Sequence, residues 1–178
     1  MSKQLTLVLG GARAGKSTYA QQLAEGREQV LFVATAEAGD EQMEARIRAH
    51  RESRPAEWDT LEEPIDLVGA LAGVADRYDT ILLDCLTLWV SNLLLREGTA
   101  EGDVPGEVRR LLAAYEQGTA SWIVVSNEVG LGVVPPTELG RLYADELGRV
   151  NQMVAAAADE VYLMAAGLPL KLKPSGEG

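Results

Sequence analysis

The stretch Gly10-Gly11-Ala12-Arg13-Ala14-Gly15-Lys16-Ser17 decides the fold. It fits the pattern G-x-x-x-x-G-K-[ST] at every fixed position. The apolar run Leu5 to Leu9 precedes it and reads as a strand, and Ser17 to Glu28 follows as a helical pattern. Strand, glycine-rich turn and helix in that order form the context a phosphate-binding loop requires. At Gly10, Gly11 and Gly15 the missing Cβ admits backbone conformations and close anion approach. Successive N–H groups along Ala12, Arg13 and Ala14, with the helix N-terminus behind them, then face a phosphate. Lys16 is placed to bridge the β- and γ-phosphates, and Ser17 to ligate Mg²⁺.

Outward from this loop, strand and helix patterns alternate. Gln29 to Thr35, Thr80 to Leu83, Trp122 to Ser126 and Glu160 to Ala165 are buried-strand runs, and Trp58 to Glu62 is a short strand. Helical patterns cover Asp40 to about Arg54, Asp66 to Asp76, Leu86 to Arg96, Glu107 to Glu116, and Glu138 to Ala158 with a break near Gly148. Gly98 to Gly106 and Asn127 to Pro136 read as loops, and Gly167 to Pro174 as an extended segment of alternating Leu and Lys. The pattern predicts an α/β, P-loop NTPase-like fold: a mostly parallel sheet with helices on both faces, in one domain over residues 1–178.

The formal net charge of −11 argues against general nucleic-acid binding. Cys85 is the single cysteine, so no intrachain disulfide can form. There is no signal-peptide pattern and no apolar run of membrane-spanning length, so a soluble, cytoplasmic protein is expected.

Ligands on open parallel sheets bind beyond the C-terminal strand ends. That rim gathers the P-loop, Thr35-Ala36-Glu37, Asp84 and Asn127-Glu128. Asp84 ends its strand as a Walker-B aspartate does and is a candidate Mg²⁺ ligand opposite Ser17; a helix cap is the competing role. Glu128 reads equally as a base and as loop structure. Arg141 and Arg149 could clamp phosphates or pair with Asp145 and Glu146. Trp89, Trp122 and Tyr162 read as core, as does Cys85. Arg46, His50 and Arg54 share one helix face in an otherwise acidic chain. Periodicity alone favours a solvated helix with a bystander histidine; the alternative is a phosphate-binding face that keeps the imidazole neutral and nucleophilic.

Several stretches together resemble the bifunctional adenosylcobinamide kinase/adenosylcobinamide-phosphate guanylyltransferase family of cobalamin biosynthesis. They are GGARAGKS (10–17), FVATAE (32–37), RIRAHRESRPAEW (46–58), LLDCLTLWVSNLL (82–94), SNEVGLGVVP (126–135) and GRVNQMVAAAADEVYLMAAGLPLKLK (148–173). The resemblance implies phosphorylation of adenosylcobinamide with ATP or GTP. Transfer of GMP from GTP to adenosylcobinamide phosphate follows, through a GMP–histidine intermediate. It places that histidine at His50, against the periodicity reading. It implies nucleotide contacts along Gly10 to Ser17, at Thr35, Ala36 and Glu37, at Arg51, Glu52, Ser53 and Arg54, and at Glu62 and Asp84, and it implies a homo-oligomer. Ala14 replaces a more usual serine, which leaves a backbone-binding loop intact.

A plain P-loop kinase would leave the arginine-flanked His50 idle. A regulatory GTPase would carry [NT]-K-x-D and a D-x-x-G after the Walker-B strand. Here Cys85-Leu86-Thr87 follows Asp84, and Ser126-Asn127-Glu128-Val129 lacks the lysine.

Overall fold

The computed structural model describes residues 2–37, 44, 48, 51, 54–96 and 103–174. Seven strands form one sheet in the order β3-β2-β4-β5-β1-β6-β7. They are β1 (Leu5–Gly10), β2 (Val30–Ala34), β3 (Asp59–Glu62), β4 (Thr80–Asp84), β5 (Ser121–Val125), β6 (Glu160–Ala165) and β7 (Leu168–Lys173). All neighbouring pairs are parallel except β6–β7. The helices are α1 (Lys16–Ala24), α2 (Leu67–Leu71), α3 (Leu86–Leu95), α4 (Val104–Gln117) and α5 (Glu138–Ala157). Residues 44, 48 and 51 are helical as well.

Every residue of β1 and β2 is buried, as befits parallel strands covered on both faces. One face packs Leu5, Leu7, Val33, Ile81 and Val124 under Trp89, Val108, Leu147 and Val150 of α3, α4 and α5. The other packs Val8, Phe32, Leu82 and Ile123 under Ala20 and Ala24 of α1. The small residues of α1 let it lie close against β1, β5 and β4 on its way to β2. Trp89 and Trp122 are core as expected, whereas Tyr162 is only half-buried, edge-on to Tyr19 at 5.3 Å.

Four elements differ from the sequence reading. The helix expected over Asp66 to Asp76 ends at Leu71: Ala72 turns extended, Gly73 takes φ +76°, and a short 3-10 turn spans Ala75–Arg77. The loop expected over Gly98 to Gly106 already turns helical at Val104. Asp103 caps α4 by accepting from the Gly106 N–H at 2.8 Å, and Pro105 costs nothing in a first turn whose N–H groups lack helical partners. Helix α5 runs unbroken through Gly148, beside which nothing crowds a Cβ position. The extended segment after Gly167 is a true strand, hinged on a two-residue turn with φ 52° at Ala166 and 80° at Gly167. Such a turn needs two left-handed residues, and alanine gives no sequence signal for one. The expected Asp40 cap lies outside the described residues.

Candidate nucleotide site

The register builds the site. Ala34 pairs with Asp84 across β2–β4, and Asp84 with Val125 across β4–β5, so three strand ends stand side by side at the C-terminal rim. The P-loop leaves β1 beside them and closes a cavity of about 510 Å³. Ala12, Arg13, Ala14, Gly15, Lys16, Ser17, Ala36, Arg54, Glu62 and Asp84 all line it.

The loop is shaped from below by the β6–β7 hairpin. A Cβ on Gly10 would stand 2.8 Å from the Met164 carbonyl oxygen, and one on Gly15 3.2 Å from the Gly167 Cα. Gly167 donates its N–H to the Ala14 carbonyl at 3.1 Å. At Gly11 nothing in the protein lies within 4 Å of the Cβ position and φ is not positive, so its missing Cβ serves only the open side that faces a ligand. The strained position is instead Arg13, at φ 58°.

Lys16 is buried, with 8% exposure, and its Nζ donates to the Gly11 carbonyl at 2.6 Å. Burial lowers its pKa below the ordinary lysine value, while Cys85 and Asp84 oppose the shift. Arg54 lies 3.6 Å over the Phe32 ring. Its Nε is buried without a hydrogen-bond partner, and burial draws its pKa down, with Asp84 acting in the opposite direction. A half-buried guanidinium with an unpartnered Nε–H beside the cavity is suited to an incoming phosphate or base oxygen. Ser17 and Asp84 supply hard oxygen donors in the same cavity, a set that suits Mg²⁺, which keeps its waters and takes further oxygens from phosphates. Among the described residues no group of three or more His, Cys, Asp or Glu could hold a metal without such help.

Other expected residues stand elsewhere. Thr35 is fully buried; its hydroxyl donates to the Cys85 carbonyl at 2.7 Å and accepts from the Cys85 N–H at 2.9 Å. It therefore pins β2 to the turn after Asp84. Glu37 is exposed and outside the cavity wall. Arg51 pairs with Glu62, both about half-exposed. Glu128 does not line the cavity; its carboxylate accepts from the Gly130 N–H at 2.8 Å, and its own N–H donates to the Gly10 carbonyl. Arg149 pairs with Glu146, and Arg141 donates to the carbonyls of Pro135 and Pro136. Cys85 packs against the core face that holds Phe32 and Leu82, as expected, and also lines the cavity; burial pushes its thiol up to about 11, so it stays protonated near neutrality. His50, Glu52 and Ser53 lie outside the described residues.

The sequence reading missed a polar strut behind Asn127, which itself lines the cavity. Buried Ser126 donates to the Asn151 side-chain oxygen at 2.6 Å, and Asn151 donates to the Asn127 carbonyl at 2.9 Å. The Asn127 N–H meets the Thr87 hydroxyl at 2.8 Å, and the Tyr143 hydroxyl holds the Thr87 carbonyl. Burial pushes the Tyr143 hydroxyl up to about 12, which keeps it a donor. The signal was present: Asn151 is a polar residue amid Leu147, Val150 and Val154 on a buried helix face. Asn151→Ala is expected to lower the unfolding free energy by about 2–3 kcal/mol in urea denaturation, because it strands buried partners. Exposed Gln152→Ala, one residue on, should stay within about 0.5 kcal/mol.

The family profile described as cobinamide kinase / cobinamide phosphate guanyltransferase matches residues 6–172. The bifunctional adenosylcobalamin biosynthesis protein CobP of Pseudomonas aeruginosa is 48% identical over 168 residues, covering 94% of this chain and 96% of that protein. The protein CobU of Salmonella typhimurium, of the same description, is 41% identical over 180 residues, covering 95% and 99%. Among solved structures, a prototypical ATPase from the type III secretion system of pathogenic bacteria superposes with a TM-score of 0.56 at 12% identity, over 94% of this chain and 56% of that one. That likeness concerns the fold. Among the described residues no helix is long and apolar enough to cross a membrane.

Proposed function

The chain belongs to the cobinamide kinase / cobinamide phosphate guanyltransferase family, and from that premise we propose how its residues divide the two reactions. The kinase step transfers the γ-phosphoryl group of ATP or GTP to the aminopropanol hydroxyl of adenosylcobinamide. The guanylyl step transfers GMP from GTP to the resulting phosphate, giving adenosylcobinamide-GDP and pyrophosphate. The observation that supports this most is the meeting of Lys16, Ser17, Asp84 and Arg54 around one cavity.

In the first step the P-loop N–H groups hold the β- and γ-phosphates, and the Lys16 ammonium stabilises charge on the group in transit. Asn127, fixed from behind by Asn151, borders the cavity where the acceptor enters. In the second step His50 attacks the α-phosphorus through a neutral ring nitrogen, and pyrophosphate leaves. The weakly nucleophilic phosphate of the corrinoid then attacks the phosphoramidate, so one hard displacement becomes two. Arg54 provides charge at the cavity wall, and the Arg51–Glu62 pair ties the residue that follows His50 in the chain to β3. Mg²⁺ held by Ser17 and Asp84 would neutralise phosphate charge when bound. A cytoplasmic setting suits the nucleotide substrates and the reduced cysteine.

The test is incubation with α-labelled or γ-labelled GTP. Protein-bound α-label without γ-label is expected; protein that retains neither is a plain kinase. Asp84 has its own test. As a metal ligand, Asp84→Asn raises the Mg²⁺ concentration for half-maximal activity, since the ion loses a formal negative charge. The N-cap of α3 is Cys85 and not Asp84, so an unaltered Mg²⁺ titration would remove Asp84 from metal binding without giving it the cap role instead.

A further inference from the structure

The chain leaves an unusual set of aliphatic side chains uncovered just beyond the nucleotide cavity. Leu131 is 83% exposed, Val133 95% and Val134 73%, and Leu139 and Leu142 follow at 50% and 45%. Isolated exposed leucines need no explanation, but a run of them in one segment marks a binding surface.

This segment is held at both ends. Asn127 lines the cavity, and the Glu128 N–H donates at 3.1 Å to the carbonyl of Gly10, the first P-loop residue. The Glu128 carboxylate closes a tight turn on Gly130. At the far end Arg141 grips the carbonyls of Pro135 and Pro136, and Thr137 caps α5 through the Gly140 N–H. The three most exposed aliphatic residues lie between these anchors, rooted on the loop that would hold the γ-phosphate.

The other exposed leucines are scattered singly. Leu95 ends α3, whose opposite end meets the cavity at Cys85, Thr87 and Leu88. Leu168, beside Ala165, stands at the rim next to Gly167, and β7 then runs down the sheet edge, carrying Leu170 beside Leu163 and away from the rim. Among the described residues the 131–134 segment brings three uncovered aliphatic side chains in one run to the cavity through Asn127, whereas Leu168 stands alone at its side of the P-loop.

Resting on the kinase and guanylyltransferase reading above, we propose that Leu131, Val133 and Val134 form the platform for the corrinoid acceptor. A cavity of about 510 Å³ suits a nucleotide and cannot also enclose a corrin macrocycle. The macrocycle must therefore lie outside, with its aminopropanol arm reaching past Asn127 to the γ-phosphate. Its methyl-bearing faces are apolar and its rim carries amides. The three aliphatic side chains match the former, and the polar groups of Asn127 and Glu128 at the edge match the latter.

The test uses the full chain with Leu131, Val133 and Val134 all changed to serine, beside Val133→Ser alone, whose side chain is too exposed to support the fold. Corrinoid binding is read by equilibrium dialysis with adenosylcobinamide, nucleotide binding by titration with a fluorescent GTP analogue, and mass in solution by light scattering. The triple variant should weaken adenosylcobinamide binding by roughly tenfold or more, the loss expected when several apolar contacts go. Val133→Ser should weaken it less, and nucleotide affinity should change by less than about twofold, since no cavity residue is altered. Unchanged corrinoid binding in the triple variant overturns the platform, and a lower mass with corrinoid binding retained assigns the surface to a second copy of the chain. Wild-type protein that binds nucleotide but no corrinoid overturns the functional reading itself, and the platform with it.

Discussion

His50→Ala is expected to abolish guanylyl transfer while phosphorylation of adenosylcobinamide largely persists. The two reactions attack different phosphorus atoms of a nucleotide. Only the α-phosphorus step needs a nucleophile from the protein; the γ-phosphoryl step passes directly to a substrate hydroxyl and draws on Lys16 and the P-loop. Wild-type protein given α-labelled GTP should keep label after denaturation, lose it in acid and retain it in alkali, as a phosphoramidate does and a serine ester does not. His50→Asn is the companion variant: polar and similar in shape, it has no ring nitrogen to attack phosphorus. The chain has one histidine, so no neighbour can stand in. Label retained in His50→Ala refutes the assignment. Loss of both activities gives His50 a binding or structural role instead.

Lys16→Ala is expected to lower the kinase turnover by roughly 10²-fold or more at saturating nucleotide, the usual cost of removing a preorganised electrostatic donor. The side chain is already gathered into the site, buried and bonded to the Gly11 carbonyl. It therefore needs little reorganisation to meet the transferring group. Steady-state kinetics decides the point: unchanged turnover with a raised KM would make the lysine a uniform binder of nucleotide rather than a stabiliser of the transition state.

What could be read in advance was what is local. The P-loop declares itself because its glycines, lysine and serine lie within eight consecutive residues. Asp84 was legible because a carboxylate closing an apolar strand in this fold falls on the binding rim. The structural tie of Thr35 was illegible because its partner is Cys85, fifty residues away, and no local pattern reveals that a hydroxyl is committed to a neighbouring strand end. Helical spacing set Arg54 on one face with His50 but favoured a solvated helix, and its seat over Phe32 depends on how this segment meets β2, which spacing cannot give. Cys85 was read as core and does pack against it; that it also borders the cavity depends on the turn after β4, which its apolar neighbours in sequence do not reveal. Strand β7 stayed hidden because its turn uses Ala166 in a conformation alanine seldom adopts.

The hairpin beneath the P-loop separates the order of synthesis from the order of assembly. The residues of the phosphate-binding loop leave the ribosome well before the strands that shape them. Yet β1 sits between β5 and β6, and the loop rests on Met164 and on the Gly167 N–H. A nascent chain can therefore carry the whole motif and still be unable to grip a nucleotide until some 150 further residues have emerged. For this protein a stalled or shortened product is not a weaker enzyme but an unshaped loop with its glycines free to wander.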